Sequence, residues 1–278
     1  MPTDSRRIPA PENSFSPDIY ISDSKKTTQL LDNGRRFDGR SSDEVRPLFL
    51  KTGVISQARG SSYIEMKNTK VICAVYGPRD IGRRDDFQME GVLKCEFKFA
   101  PFSCKQRRGH IRDNQEMEYS QILAQALEPA VLMHKFPKAQ VDVYVTVLEN
   151  DGGSLAAGIM AASLALTDAS IEMYDMVTSY NVRLSGKNML IHDPTALEEF
   201  DSNTSDGTLC INQGNVTVAL LPLLNQVSGM VSTGIIDCDM LSDAIQKCTD
   251  GAQSIYSVMQ KAVIESYNEN DVTDGEET

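Results

Sequence analysis

Three segments carry side chains whose types and spacing suit chemistry. The first, Lys105-Gln106-Arg107-Arg108-Gly109-His110-Ile111-Arg112, puts four Lys and Arg cations into eight residues. Such a density suits phosphate oxygens, which position a nucleic acid without reading its bases. No aromatic interleaves the cations to stack a base, so a solvated basic loop also fits the composition. The second, Glu149-Asn150-Asp151-Gly152-Gly153-Ser154-Leu155-Ala156-Ala157, is a Gly-rich turn feeding a helix start. Backbone N–H groups beside the positive end of a helix form an anion cradle. A firm grip on inorganic phosphate needs a fixed cation and hydroxyls as well. Here Ser154 supplies the one hydroxyl, and Leu155 and Ala156 follow it. A turn whose small residues allow close packing is the competing reading. The third, Asp193-Pro194-Thr195-Ala196-Leu197-Glu198-Glu199, holds two carboxylates, Asp193 and Glu199, of the kind that bind Mg²⁺ or relay protons. Thr195 with Glu198 equally fits a capping box, and Asp193 before Pro194 a turn.

Other chemistry is thinly represented. His110, His134 and His192 have no paired metal spacing, and the six cysteines (73, 95, 104, 210, 238, 248) form no Cys-x-x-Cys pair. Most of these cysteines lie in apolar stretches and read as small buried hydrophobes of a reducing compartment. No nucleophilic triad or phosphate-binding P-loop is present, so neither a metal nor a cofactor is expected.

The elements that must position these groups follow from periodicity. Strand-like runs cover Leu48–Ile55, Ser62–Met66, Val71–Tyr76 and Val92–Phe99, separated by Gly, Asn and Pro. Asp113, with Glu116 three residues on, marks a helix start, and Leu123, Leu127, Ala130, Val131 and His134 share its face, with a kink expected at Pro129. A strand over Val141–Leu148 precedes the Gly-rich turn, and a helix of small residues runs from Ser154 to Ala169. Further strands are expected at Met176–Leu184, Met189–Ile191, Thr208–Ile211 and Val216–Leu223. A last helix, about Met240 to Tyr267, carries the stripe Leu241, Ile245, Cys248, Ala252, Ile255, Met259 and Val263. This order predicts an α+β fold built as two βα half-repeats. Residues 1–35 read as an extended or disordered arm, 36–267 as one domain and 268–278 as an acidic tail.

The 278 residues suffice to bury a core, at 41% hydrophobic and 24% charged. The longest apolar runs, such as Val216–Leu224, are under half a membrane span, and the N-terminus lacks the apolar core of a signal peptide, so a soluble intracellular protein with no membrane partner is expected. The net charge of −12 argues against a stand-alone nucleic-acid binder, which replaces phosphate counterions with an excess of cations. The charge is uneven. Residues 1–150 hold 23 Lys and Arg against 20 Asp and Glu, or +3, whereas 151–278 hold 4 against 19, or −15. The basic loop lies in the slightly cationic half, where one local contact on a shared nucleic-acid path is compatible with the total.

A set of short blocks then runs in order along nearly the whole chain. They are Arg36-Phe37-Asp38-Gly39-Arg40, Arg46-Pro47, Ala58-Arg59-Gly60-Ser61-Ser62-Tyr63, Thr69-Lys70-Val71, Asp151-Gly152-Gly153, Ala165-Leu166-Thr167-Asp168-Ala169, and Asp193 with its acidic followers. Together they resemble the RNase PH family of phosphorolytic exoribonucleases, whose fold is like domain 2 of ribosomal protein S5. Tyr76-Gly77-Pro78-Arg79, Phe99-Ala100-Pro101-Phe102, Ala126-Leu127-Glu128-Pro129-Ala130-Val131, Glu172-Met173-Tyr174-Asp175 and Leu221–Gly229 are similar to ring subunits of the eukaryotic RNA exosome.

The resemblance carries specific implications. Active members follow the Gly-rich turn with a hydroxyl, an Arg and another hydroxyl that hold the attacking phosphate. Leu155 stands at the Arg position here and Ala156 at the next. Glu199 stands where active members carry Asp. The implied protein is a non-catalytic ring subunit, with Asp193 and Glu199 vestigial and Gly153, Ser154, Leu155 and Ala156 a degenerate phosphate turn. Its implied role is scaffolding of 3′→5′ RNA processing and degradation, with Lys105, Arg107, Arg108 and Arg112 as candidates for RNA contact in a central channel. Implied partners are other RNase PH-like ring subunits, a ribosomal-RNA-processing-protein-42 type subunit in its dimer, and S1/KH cap subunits, in nucleus, nucleolus and cytoplasm. The rival reading is an active phosphate-dependent 3′→5′ exoribonuclease.

Overall fold

The alternating runs fold as strands and the 3.6-residue stripes as helices, in two halves that each end on a helix. The computed structural model describes residues 31–32, 35–36, 38–80, 90–109, 111–185, 189–199 and 213–276. A short hairpin of β1 (Leu31–Asp32) and β2 (Arg35–Arg36) leads into β3 (Leu48–Thr52), β4 (Gly60–Met66), β5 (Thr69–Asp80) and β6 (Val92–Phe99). Then come α1 (Asn114–Leu127), β7 (Ala139–Glu149) and α2 (Ser154–Asp168). The second half holds β8 (Thr178–Ser185), β9 (Met189–His192), the single-turn α3 (Ala196–Glu199), β10 (Gln213–Leu221), β11 (Gln226–Ile235) and α4 (Cys238–Glu276).

The strands form a five-stranded sheet of order β3-β4-β5-β7-β6 and a four-stranded sheet of order β11-β10-β8-β9. β6 pairs parallel with β7, and the other pairs are antiparallel. α2 lies between the sheets, touching β4, β5 and β7 of one and β8 and β10 of the other. That position explains its composition. Every residue from Ser154 to Leu166 is buried, so the helix is apolar all round and built of Ala, Gly, Leu, Ile and Met rather than amphipathic. α1 covers β6 through Leu123, Ala126 and Leu127, all fully buried. Complete burial of each Leu is worth roughly 1.5–3 kcal/mol. α4 lies on β8, β10 and β3 through Ala244, Cys248, Ala252, Ile255 and Met259.

The α+β fold with a helix closing each half is as the sequence predicts. Four details differ. Pro129 ends α1 instead of kinking it: the helix stops at Leu127 with Glu128 as C-cap, because proline has no N–H to continue the ladder and its ring clashes with the preceding turn. His134 therefore sits in a separate 3₁₀ turn, Met133–Lys135. β11 has no counterpart in the sequence reading, because as an exposed edge strand rich in Ser, Gly and Thr it lacks a clean apolar alternation. α4 continues to Glu276, through residues expected to form the tail, since no proline follows its apolar stripe. The end of the expected N-terminal arm pairs as the β1–β2 hairpin. Residues 1–30 and the strand expected at Thr208–Ile211 lie outside the described residues.

Candidate functional site

β7 runs into the Gly-rich turn, where Gly152 and Gly153 take φ of 87° and 66°. Gly153 is the N-cap of α2 and has no side chain to cap it. Both conformations are left-handed, and a Cβ on Gly152 would lie 2.5 Å from the Pro194 carbonyl oxygen, so only glycine fits there. The turn is held from within. Arg46 donates through Nη1 to the Asp151 carbonyl (2.9 Å) and through Nη2 to the Gly152 carbonyl (3.1 Å). Thr69 Oγ1 donates to Gly152 (2.9 Å) and accepts from the Asp151 N–H (3.1 Å). The Gly153 N–H, at the head of α2, donates to Glu199 Oε2 at 3.3 Å. A carboxylate of the protein itself thus takes a donor that an anion cradle would offer to a ligand. Ser154, Leu155 and Ala156 are buried behind it.

Asp193 and Glu199 do not act as a matched pair. Asp193, at a φ of 48°, is buried and clamped by Arg46. Nη2 reaches Oδ1 at 2.6 Å, and Nε and the backbone N–H reach Oδ2 at 2.7 and 3.0 Å. Arg40 Nη1 adds a contact at 3.4 Å. Burial alone pushes the Asp193 carboxyl up, but the hydrogen bonds and charge of Arg46, with the charge of Arg40, outweigh it and hold the group below the ordinary value. Glu199 moves the other way. Burial raises its carboxyl, and the Gly153 N–H, Arg183 and Arg46 do not compensate. The two groups therefore lie in opposite electrostatic environments.

Beside them stands a pair that sequence reasoning did not single out. Arg36 grips Glu198 bidentately, Nε to Oε1 at 2.8 Å and Nη2 to Oε2 at 2.5 Å, and donates to the carbonyls of His192 (2.6 Å) and Asp193 (2.8 Å). Glu198 also reaches back to the Thr195 N–H at 2.7 Å, so the capping role expected for it is filled. Arg36, Arg40 and Arg46 all come from the family motif blocks before β3. The signal was three arginines within eleven residues, but not where they point. Among the described residues no group of three or more His, Cys, Asp or Glu is placed to hold a metal ion.

The basic loop divides into two kinds of cation. Arg108 is tied down: its guanidinium lies 3.9 Å above the Phe99 ring, Nη2 donates to Gln115 at 2.8 Å, and Nε approaches Cys104 Sγ at 3.2 Å. Arg112 pairs with Glu96 at 2.5 Å. Lys105 and Arg107 are exposed, and His110 lies outside the described residues. The Arg108 N–H bonds to the Pro101 carbonyl at 3.0 Å and closes the loop on itself. Within that closed loop Phe102 is 68% exposed, an aromatic face the sequence reading did not place among the cations. Of the described cysteines, Cys73 and Cys248 are buried, whereas Cys238 is exposed and Cys95 and Cys104 are intermediate. The buried-hydrophobe reading thus fits Cys73 and Cys248, Cys95 and Cys104 pack partly buried against the core, and Cys238 departs from it.

Residues 44–172 match the 3′ exoribonuclease family, domain 1. The chain is 35% identical over 280 residues to exosome complex component MTR3 of Homo sapiens, covering 95% of this chain and 96% of that protein. It is 35% identical over 245 residues to exosome complex component Rrp41 of Thermococcus kodakarensis, covering 86% and 92%. The crystal structure of rice (Oryza sativa) Rrp46 has the same fold, with a TM-score of 0.70 at 22% identity over 82% of this chain and 100% of that one. Motif blocks in family order, two sheets enclosing a small-residue helix behind a Gly-rich turn, and similarity along almost the full length have one explanation: this chain belongs to the 3′ exoribonuclease family of RNase PH type.

Proposed function

We propose that this chain is a non-catalytic RNase PH-like subunit of an RNA exosome ring. In that role it supports 3′→5′ processing and degradation of rRNA, mRNA and other RNAs by scaffolding and by lining an RNA channel. One observation carries the non-catalytic part. At the head of α2, where a phosphate would need a cation, stand Leu155 and Ala156, and the Gly153 N–H is taken by Glu199. The guanidinium beside Gly153, that of Arg46, is committed to Asp193 and to the turn carbonyls. A planar guanidinium fork is the natural bidentate partner of a phosphate dianion. Losing one such preorganised group costs about 3–4 kcal/mol of transition-state stabilisation, or about 100- to 1000-fold in rate. A carboxylate in its neighbourhood opposes the incoming anion further.

Similarity to MTR3 along the whole length supports the assembly role. The partners would be other RNase PH-like ring subunits, with a ribosomal-RNA-processing-protein-42 type subunit in its dimer and S1/KH cap subunits above. The compartments would be nucleus, nucleolus and cytoplasm. Within the basic loop, Lys105 and Arg107 carry the RNA contact, Phe102 offers a stacking face, and Arg108 and Arg112 shape the loop. Two measurements test this reading. Affinity purification from cells followed by mass spectrometry should recover the other ring and cap subunits. Purified protein given poly(A) and inorganic phosphate should release no nucleoside diphosphates. Phosphate-dependent release that Asp193→Ala abolishes would establish the active-nuclease alternative instead.

A further inference from the structure

Alternation along β5, β6 and β7 sends Val75, Phe97, Val143 and Val145 into the core. The residues between them form the opposite face of the five-stranded sheet. There the parallel register sets Lys94, Glu96 and Lys98 of β6 beside Asp142, Tyr144 and Thr146 of β7. Tyr144 is 38% exposed, and Tyr76 of β5 meets it edge to face with ring centroids 5.9 Å apart. At the other side of the sheet Phe49 of β3 meets Tyr63 of β4 in the same way at 6.4 Å. The water-facing side of a sheet ordinarily carries polar side chains; this one carries two aromatic pairs.

The charges on the face are unequal. Its carboxylates are already engaged: Asp142 by Arg79, Glu96 by Arg112, Glu149 by Lys70, and Glu65 by the Tyr63 hydroxyl. Lys51, Lys94 and Lys98 are exposed, and among the described residues no carboxylate pairs with them. A positive surplus thus gathers on one face of a chain whose net charge is −12. Lys94 and Lys98 lie about 13 Å apart along β6, with Tyr144 level with the residue midway between them. Cations that bracket an aromatic ring are the pattern of a single-stranded nucleic-acid platform, where phosphates meet the cations and bases stack on the rings.

A protein occupant fits less well. The edge of β6 is closed to an added strand, because the Phe97 and Phe99 N–H groups donate to Ser120 Oγ (2.9 Å) and Glu116 Oε1 (2.9 Å). Lysine is also depleted from the buried centres of protein interfaces.

We propose that this outer sheet face binds single-stranded RNA, with bases stacked on Tyr144 and Tyr76 and phosphates held by Lys94 and Lys98. The surface is additional to the basic loop and does not depend on whether the chain is catalytic. The test is fluorescence anisotropy of a fluorescein-labelled oligouridylate, titrated with the full chain and with the assembled ring over a range of salt. Tyr144→Ala should weaken binding about tenfold, as loss of one stacked base does, and Tyr144→Phe should restore it. Lys94→Gln combined with Lys98→Gln should flatten the log–log salt slope by about 1.4, the share of two phosphate contacts on a single strand. Ultraviolet crosslinks at Tyr144 or Tyr76 in the assembled ring would support the proposal. It is overturned if no saturable binding occurs. It is equally overturned if binding ignores these substitutions while Lys105→Gln with Arg107→Gln abolishes it. Ring assembly without RNA that shields Lys94 and Lys98 from reductive methylation would give the face to a protein partner and overturn it too. Affinity purification that recovers no ring subunits would defeat the assembly role instead and leave this binding assay standing, so the two failures are separable.

Discussion

Asp193 has two identities, a carboxylate that the family resemblance implies as an acidic site position and the buried anchor for Arg46. The second dominates its energetics. A buried charge left without its partner typically costs about 3–5 kcal/mol, so Asp193→Asn and Arg46→Met should each lower stability by about that much in urea denaturation. The carboxyl of Asp193 is held below its ordinary value of 3.8. Its contribution is therefore complete above pH 3.8 and fades as the pH falls through the depressed value. A stability–pH profile of Asp193→Asn should lack that acid-side component. Glu199 is raised above its ordinary 4.5, and the sign reverses. The stability it adds is full below pH 4.5 and is lost as the pH rises through the raised value. Glu199→Gln keeps the group neutral throughout, so it should be more stable than the parent at pH 7 and equal to it well below pH 4.5. Thermal melts at the two pH values would check this.

Among the elements, the start of α1 ties a helix cap to a sheet. Glu116 accepts from the Asp113 N–H through Oε2 (3.3 Å) and from the Phe99 N–H of β6 through Oε1 (2.9 Å). Asp113→Ala removes only a cap and should cost about 1 kcal/mol. Glu116→Ala also strands the buried Phe99 N–H and should cost about 1–3 kcal/mol more. Chemical denaturation of both variants would separate the roles. This cap was legible in the sequence because its partners lie three residues apart, as were most strands and the small-residue helix α2. What could not be read was non-local. Arg36, Arg40 and Arg46 reach Glu198 or Asp193 across 147 to 162 residues, and no spacing rule reaches that far. The resemblance named the right blocks, yet Asp193 and Glu199 looked like a pair until the structure put an arginine clamp on one and a helix N–H on the other. β11 escaped because an exposed edge strand needs no apolar alternation.

For the whole molecule, β11 is an edge strand, and beside or on it Leu223, Val227, Met230 and Ile235 are 43–70% exposed. Long edges with apolar side chains seek partners. Light scattering on the isolated chain should therefore find self-association that co-expression with ring subunits removes; a monodisperse monomer would count against the ring role. No helix among the described residues is long and apolar enough to cross a membrane. The Arg46–Asp193 clamp has a further consequence for how the protein is made. The five-stranded sheet is complete once residue 149 has been added, but Arg36 and Arg46, just ahead of it in the chain, stay without the carboxylates of Glu198 and Asp193 until those residues leave the ribosome. A nascent chain stalled before that point carries two guanidiniums without their carboxylates, and ribosomal RNA is a nearby supply of anions.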